Sequence, residues 1–360
     1  MRYLSENVIV PDAPLLTIAI PTYNRASSLR ENIPYLLDEI NGTVKTPNSI
    51  EVIISDNASS DGTELLCTEF VKSQHYIRYY RNKTNLGPDR NFMNCVNLAT
   101  GKYLILLGDD DKFTSGAIGT ILDLIYKHPG TSLILLNSYK KIVSPKIVGT
   151  NQEYCFSPPK HLMFKDCDLF LREIDPDPLT FMSSLIFNVS DLRRIDDLSD
   201  GIGSHFIHTI WLLKVIKKNP NVYICPLPLI LSGNEESLDF YQDLPEISTR
   251  RRNAEETLFA HTLNFYSNIF RQQCNKYGYK KSTPKRVFTK FLLRQSLMKA
   301  YTKLQGKEVY FKKRSLIFRY TKKRLISWVI FYPILILPTR IMSKFGFVAD
   351  NFINILYREN

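Results

Sequence analysis

Between residues 15 and 137, short apolar runs alternate with stretches whose apolar residues recur at helical spacing. "LLTIAI" (15–20) ends at Pro21, and "EVIIS" (51–55), "IRYY" (77–80), "YLILL" (103–107) and "SLILL" (132–136) read as further strands. Leu29, Ile33, Leu36, Leu37 and Ile40 make one face of a helix, with Ser27 or Ser28 as its N-cap and Pro34 expected to kink or shorten it. Asp61, with Glu64 three residues on, has the form of a capping box for the next helix. Phe92, Val96 and Ala99, then Ile118, Ile121, Leu122 and Ile125, supply two more helical faces. Near-continuous apolar strands separated by amphipathic helices predict an α/β fold with a mostly parallel central sheet flanked by helices. In such a sheet, ligands bind beyond the carboxyl ends of the strands.

Polar clusters follow three of those strands. "GDDD" sets Asp109, Asp110 and Asp111 side by side after the fourth. Like charges at the end of a buried strand repel, and unpaired burial raises their pKa values. A divalent cation, Mg²⁺ or Mn²⁺, relieves the repulsion and bridges to a diphosphate; a solvated turn capping the next helix explains the same residues. Asp56 in "SDNASSDGT" follows the second strand, where it can accept hydrogen bonds from a base or ribose or simply close an Asx-turn. "NKTNLGPDRNF" offers Asn85, Gly87 and Arg90; Gly87 allows close backbone approach, and Arg90 can pair with phosphate or with an aspartate of the cluster.

Together "IAIPTYNR", "VIISDNASSDGT", "NLGPDRN" and "GKYLILLGDDD" resemble, in order and spacing, the family 2 glycosyltransferases of GT-A fold. The likeness is close over about residues 14–130 and looser to 240. It implies sugar transfer from a nucleotide-sugar donor with a Mn²⁺ or Mg²⁺ cofactor and inversion at the anomeric carbon. By that resemblance, Pro21, Thr22, Tyr23 and Arg25 border the nucleotide, Asp56 binds its base or ribose, and Arg90 approaches the diphosphate. Asp109 and Asp111 would form the metal-binding Asp-x-Asp. Two departures stand out: Gly108 replaces an acid common in the family, and Asn57 replaces the second Asp of the second motif.

Residues 150–235 read as an α+β continuation, with "FMSSLIFN", a helix through "FIHTIWLLKVIKK" and the strand "NVYICPLPLIL". Family members carry Glu-Asp at the head of such a helix, where one acid removes the acceptor's proton, but "GIGSHFIHTIWLLK" contains no acid. It offers His205 and His208 instead. His208 can serve as base or metal ligand, or be a half-buried, hydrogen-bonded core histidine. A carboxylate base can come from Glu235, Glu236 or Asp239 in "SGNEESLDF". "LLGDDD", "FMSSLIFN" and the His-bearing helix most resemble an O-antigen abequosyltransferase-like subgroup. That implies a deoxyhexose donor and a polyprenyl-diphosphate-linked glycan acceptor.

The net charge of +12 is unevenly placed. From Lys276 to Asn360 there are 20 Lys/Arg against 3 Asp/Glu, a local +17 that leaves −5 for residues 1–275. Residues 1–245 therefore read as the nucleotide-sugar domain and 246–360 as a basic, aromatic, helical region. Leu325 to Leu337 form a 13-residue apolar run interrupted only by Ser327 and Pro333. As a helix it spans about 20 Å, short of a hydrocarbon core of roughly 30 Å. It fits an interfacial helix on an anionic membrane surface better than a nucleic-acid partner, which would not reward exposed aliphatics. The six scattered cysteines and the absence of a secretory h-region in "MRYLSENVIVPDAP" point to reduced thiols and no export. The expected location is the cytoplasmic face of the bacterial inner membrane, as a peripheral protein. Two other functions fit parts of the chain. A nucleotidyltransferase would need a Gly-rich loop and phosphate-binding Lys that "IAIPTYNRASS" lacks; a noncatalytic sugar-nucleotide-binding adaptor at the membrane fits the missing Glu-Asp pair.

Overall fold

The apolar runs do form strands, and the longest-buried of them sits mid-sheet. The computed structural model describes residues 2–4, 8–10, 13–43, 49–141, 152–154, 162–233 and 262–291. The chain divides into two compact units, Met1–Phe170 with Asp177–Phe240, and Leu171–Pro176 with Tyr241–Asn360. In the first, β1 (Arg2–Leu4) and β2 (Val8–Val10) make a separate antiparallel pair. Then β3 (Leu16–Thr22), β4 (Ile50–Asp56), β5 (Ile77–Arg81) and β6 (Tyr103–Leu106) pair in parallel in the order β5-β4-β3-β6. The connecting helices are α1 (Ala26–Thr43), α2 (Thr63–Ser73) and α3 (Pro88–Leu98).

The rest of the sheet departs from the parallel expectation. After β7 (Lys112–Phe113) and α4 (Ala117–Lys127) come β8 (Leu133–Lys141), β9 (Gln152–Tyr154), β10 (Met163–Phe164) and α5 (Cys167–Glu173). They are followed by β11 (Leu185–Asn188), α6 (Val189–Arg193), α7 (Ile207–Lys218) and β12 (Val222–Leu231). The order is β10-β12-β8-β11-β6-β3-β4-β5, with β11 antiparallel to both β6 and β8. The sheet is therefore mixed. Because β11 runs against its neighbours, its first residues stand where theirs end, and Ser183 is delivered to the carboxyl edge.

Several local expectations are corrected. β3 continues through Pro21, because its pairing with β6 stops at Ala19↔Leu106 and the ring faces the side where no ladder bond remains to be made. α1 is not shortened by Pro34, which lies exposed on its outer face, where solvent can satisfy the carbonyl the ring leaves unpaired. Neither Ser27 nor Ser28 caps α1; its Ala26 N–H donates to Asp61 Oδ2 at 3.0 Å. Asp61 therefore serves α1 as well as Thr63 N of α2, and Glu64 pairs with Arg81 (3.3 Å) instead of closing a capping box.

Burial is deepest in β3, β4, β6 and β8, with α1 and α4 covering the sheet through Leu29, Ile33, Ile40, Ile118, Ile121 and Ile125. α7 is buried from Ile207 to Ile216, so its hydrophobic surface runs all round. In the second unit, a π-helical turn (Phe265–Ile269) leads into α8 (Phe270–Lys276), and a further helix covers 282–291. Tyr266 stacks its ring near Phe270 and Phe291 and donates its hydroxyl to Pro176 O at 2.5 Å. Among the described residues no helix is long and apolar enough to cross a membrane. The 325–337 run lies outside the described residues. Cys67, Cys95, Cys225 and Cys274 are buried free thiols.

Ile105 is fully buried between β3 and β11. Ile105→Ala should lower the unfolding free energy by about 2–5 kcal/mol in urea titration, and a loss below about 1 kcal/mol would contradict this packing.

Candidate active site

At the carboxyl edge, three distant segments converge on the acidic cluster. Ser183 Oγ donates to Asp111 Oδ2 (2.5 Å) and accepts from the Gly108 N–H (2.9 Å). Gly233, just past β12, donates its N–H to Asp111 Oδ1 (2.8 Å). Thr22 Oγ1, at the end of β3, donates to Asp109 Oδ2 (2.8 Å), and Arg25 Nε stands 3.9 Å from Asp109 Oδ1. Asn32 Nδ2 donates to the Asp109 carbonyl (2.7 Å). The departure at position 108 has a steric cause: a Cβ on Gly108 would lie 2.6 Å from Asp111 Oδ2. One on Gly233 would lie 2.6 Å from the Asp110 carbonyl oxygen. Only glycine lets these two strands close on the carboxylates.

Burial pushes the carboxyls of Asp109 and Asp111 up to about 7. The Asp110 carboxylate adds to the rise at both, and Arg25 opposes it at Asp109. Buried Asp111 and half-buried Asp109, beside the Arg25 guanidinium, suit a hard divalent cation, which takes one or two carboxylates and completes its shell with water or phosphate. Among the described residues, the single grouping of three His, Cys, Asp or Glu side chains close enough to share an ion is Asp166, Cys167 and Asp168. Its Asp166 is already engaged, accepting from Leu169 N at the head of α5 (2.9 Å).

The turn after β4 is knitted to its neighbours. Asp56 is wholly buried, with Oδ1 accepting from Ser59 N (2.9 Å) and Ser59 Oγ (2.5 Å). Its Oδ2 accepts from Tyr79 OH (2.6 Å) and stands 3.6 Å from Arg81 Nε. Asn24 N donates to Ser59 Oγ (2.8 Å) and Ser60 N to Asn24 Oδ1 (2.8 Å), tying this turn to the one that holds Pro21, Tyr23 and Arg25.

Asn57 explains the second departure. Its amide donates to Asn85 Oδ1 (2.7 Å) and accepts from Asn82 Nδ2 (3.0 Å) and Leu86 N (2.9 Å). An aspartate could accept but not donate, so it would face Asn85 oxygen to oxygen. The ladder continues through Asn94 to Asn82 (2.9 Å) and Asn91 to Ser55 O (2.8 Å). Asn82, Asn91, Asn94, Asn32 and Ser183 carried no signal in the sequence beyond being polar near the motifs. Gly87 takes φ +79, and a Cβ there would meet no protein atom within 4 Å. Arg90 is exposed on α3 and makes no ion pair with the aspartates or any other described residue.

The head of α7 carries no acid, yet a carboxylate meets it. Asp89, the second residue of α3, accepts from Gly203 N (2.7 Å) and His205 N (3.1 Å) through Oδ2. It is buried, its Oδ1 has no hydrogen-bond partner, and burial raises its pKa. His208 is 3% exposed, with Phe92 and Phe206 rings at 6.1 and 6.2 Å. Burial pushes its pKa down to about 4, so the neutral ring donates Nε2–H to Thr180 O (3.0 Å) while Nδ1 has no partner. Glu235, Glu236 and Asp239 lie outside the described residues.

This architecture, a nucleotide-binding-type parallel half followed by an antiparallel strand that closes on an acidic cluster, is that of a GT-A fold. The mannosyltransferase PcManGT of Pyrobaculum calidifontis, solved with GDP-Man and Mn²⁺, superposes with a TM-score of 0.51 at 13% identity, over 96% of this chain and 88% of that one. Residues 17–187 match the model of glycosyl transferase family 2. The abequosyltransferase RfbV of Salmonella typhimurium is 43% identical over 108 residues, 30% of this chain and 31% of that protein. A Campylobacter jejuni relative, named GalNAc(5)-diNAcBac-PP-undecaprenol beta-1,3-glucosyltransferase, is 31% identical over 110 residues, 30% of this chain and 34% of its own. The match thus spans about a third of the length of these curated relatives.

Asn57→Asp should cost about 1–3 kcal/mol in chemical denaturation, and a neutral result would contradict the donor role of its amide. Asp109 and Asp111 titrate near 7 when folded against 3.8 for the free group. The folded state keeps their protons to higher pH, so this contribution to stability is complete below about pH 4 and lost as pH rises through about 7. In divalent-free buffer, Tm should fall between about pH 5 and pH 8, less steeply for Asp111→Asn; parallel curves would refute the shift.

Proposed function

We propose that this protein is a metal-dependent, inverting glycosyltransferase of bacterial surface-polysaccharide synthesis. It moves a sugar, a deoxyhexose, from a nucleotide-sugar donor to an oligosaccharide on a polyprenyl diphosphate carrier. It works at the cytoplasmic face of the inner membrane, held by its basic carboxyl-terminal region. The observation that carries this reading is the closure of β6, the start of β11 and the end of β12 on Asp111, with Thr22 at the end of β3 holding Asp109 beside it. The deoxyhexose and the lipid-linked acceptor are supported by the names of the S. typhimurium and C. jejuni relatives. The metal is supported by buried Asp111 and half-buried Asp109, whose carboxyls are both pushed up in pKa at a site built of oxygen donors.

Asp109 and Asp111 would hold Mn²⁺ or Mg²⁺, with Asp110 beside them. When bound, that ion supplies positive charge to a departing nucleoside diphosphate. Thr22 and Ser183 orient the two carboxylates through their hydroxyls, and Arg25 adds a cation beside Asp109. Pro21, Thr22, Tyr23 and Arg25 border the nucleotide, with Asp56, Asn85 and Gly87 shaping its turn and exposed Arg90 free to meet a phosphate oxygen. Asp56 acts chiefly by holding the turn, since both its oxygens are engaged within the protein.

For the base that deprotonates the acceptor hydroxyl, an acid just past Gly233 is favoured over His208. Gly233 N is hydrogen-bonded to Asp111, and two residues further on the chain has run at most about 7 Å. His208 is walled by two phenylalanines and its Nε2–H is committed to a carbonyl, which also counts against it as a metal ligand.

Transfer is measured with radiolabelled donor, Mn²⁺ and membrane-extracted carrier-linked glycan. Asp111→Asn should lower kcat by about 10³-fold or more with the fold intact by circular dichroism. One of Glu235→Gln, Glu236→Gln and Asp239→Asn should lower kcat by about 10²–10⁴-fold, and His208→Gln by much less. Full turnover by Asp111→Asn would sink the metal assignment.

A further inference from the structure

Cations in the second unit gather around a cavity that the sugar-transfer site does not use. A cleft of about 330 Å³ is lined by Arg271, Asn275, Tyr279, Lys281, Pro284 and Lys285. That lies at the low end of the roughly 300–1,000 Å³ usual for small-ligand sites. Its walls follow from the local fold. Arg271 and Asn275 are four residues apart and so share one face of α8. The chain then reverses: Tyr277 N donates to Gln273 O (3.0 Å) and Tyr279 N to Cys274 O (2.9 Å). Gly278 takes φ +68 to make the reversal, and the helix over 282–291 brings Lys285 back toward α8. Tyr279 and Pro284 are buried and floor the cleft, while Arg271, Lys281 and Lys285 are exposed around it.

Charge distinguishes this cleft from an ordinary solvated surface. Residues 262–291 contain seven Lys/Arg and no Asp or Glu. Glu173, an acid of the same unit, is already used elsewhere: its carboxylate stands 4.0 Å from buried Arg286, and its carbonyl accepts from Lys290 Nζ (3.1 Å). Arg271, Lys281 and Lys285 have no ion-pair partner among the described residues. Three like charges around one concavity repel until an anion joins them. A guanidinium with two ammonium groups suits a phosphate ester, which Arg grips through paired N–H donors and Lys as a point charge. The floor of Tyr279 and Pro284 accepts an apolar attachment.

We propose that this cleft binds the diphosphate of a polyprenyl-type amphiphile. The inference rests on the lipid-linked acceptor proposed above and names the residues that would grip it. A short, half-open cleft with one small apolar floor favours a phosphate headgroup over a nucleic-acid strand, which needs an extended groove with successive stacking rings.

The test uses the full-length protein and neutral phosphatidylcholine vesicles doped with farnesyl diphosphate. Matched-charge phosphatidylglycerol vesicles, inorganic pyrophosphate as competitor and a thymidine oligonucleotide serve as the other arms. The parent should bind farnesyl diphosphate vesicles more tightly than phosphatidylglycerol ones, and pyrophosphate should displace it. Arg271→Gln/Lys281→Gln/Lys285→Gln should weaken that binding at least about tenfold, since each basic residue near a charged surface contributes appreciably. Lys72→Gln/Lys127→Gln/Lys165→Gln removes the same charge from exposed sites of the first unit and should change it less than about twofold. All six side chains are exposed or at the cleft rim, so Tm should hold in both variants. Unchanged binding by the cleft variant overturns the proposal, and so does equal preference for phosphatidylglycerol or tighter binding of the oligonucleotide. Loss of all donor-dependent transfer by the parent, with vesicle binding intact, would instead overturn the enzymatic reading and leave the cleft standing.

Discussion

The burial of Asp111, with half-buried Asp109 beside it, at a point where three strands end is the constraint to which the rest of the catalytic unit answers. A carboxylate taken out of water must be hydrogen-bonded, protonated or met by a cation. Here each demand has left a mark. Thr22, Ser183 and Gly233 donate to the acids, and Gly108 and Gly233 forgo side chains so that backbone can come close. What remains unsatisfied is charge, and a single arginine 3.9 Å away supplies little of it. The divalent cation proposed above would supply the rest.

That constraint also makes sense of the mixed sheet. Parallel strands alone would place every strand start at the far edge, and Ser183 could not reach Asp111. An antiparallel β11 reverses the geometry, so the residues preceding it arrive beside Gly108. The donor-side turns are stiffened by a different device, a ladder of asparagines whose amides both give and accept. Such reciprocity is available only to a side chain with both functions, which is why the second aspartate of the family pattern is absent.

The head of α7 shows how a carboxylate can be supplied from another element. Asp89 on α3 meets the head of α7 from outside, so a carboxylate stands there although α7 has none of its own. His208, which the sequence offered as a base, is enclosed because α7 is buried from Ile207 to Ile216. Spacing along a helix tells which residues share a face; it does not tell whether that face meets solvent or core.

What the sequence determined by itself was whatever depends on short range and on period. Apolar runs, helical faces and the position of polar clusters after strands were legible because backbone geometry alone links them to an α/β sheet with a site at its carboxyl edge. Asp109 and Asp111 stood out as like charges after a strand end, whereas Thr22 and Arg25 entered through resemblance alone and their approach to Asp109 was not foreseen. Only the tertiary structure decided the direction of β11, the partnership of Ser183 and Gly233 with Asp111, the donation of Asn57 to Asn85 and the capping of α1 by Asp61. Those contacts join residues from 28 to 122 positions apart. No local preference encodes such pairs; they exist because the packed sheet brings chain ends together and the buried polar groups then take the partners within reach.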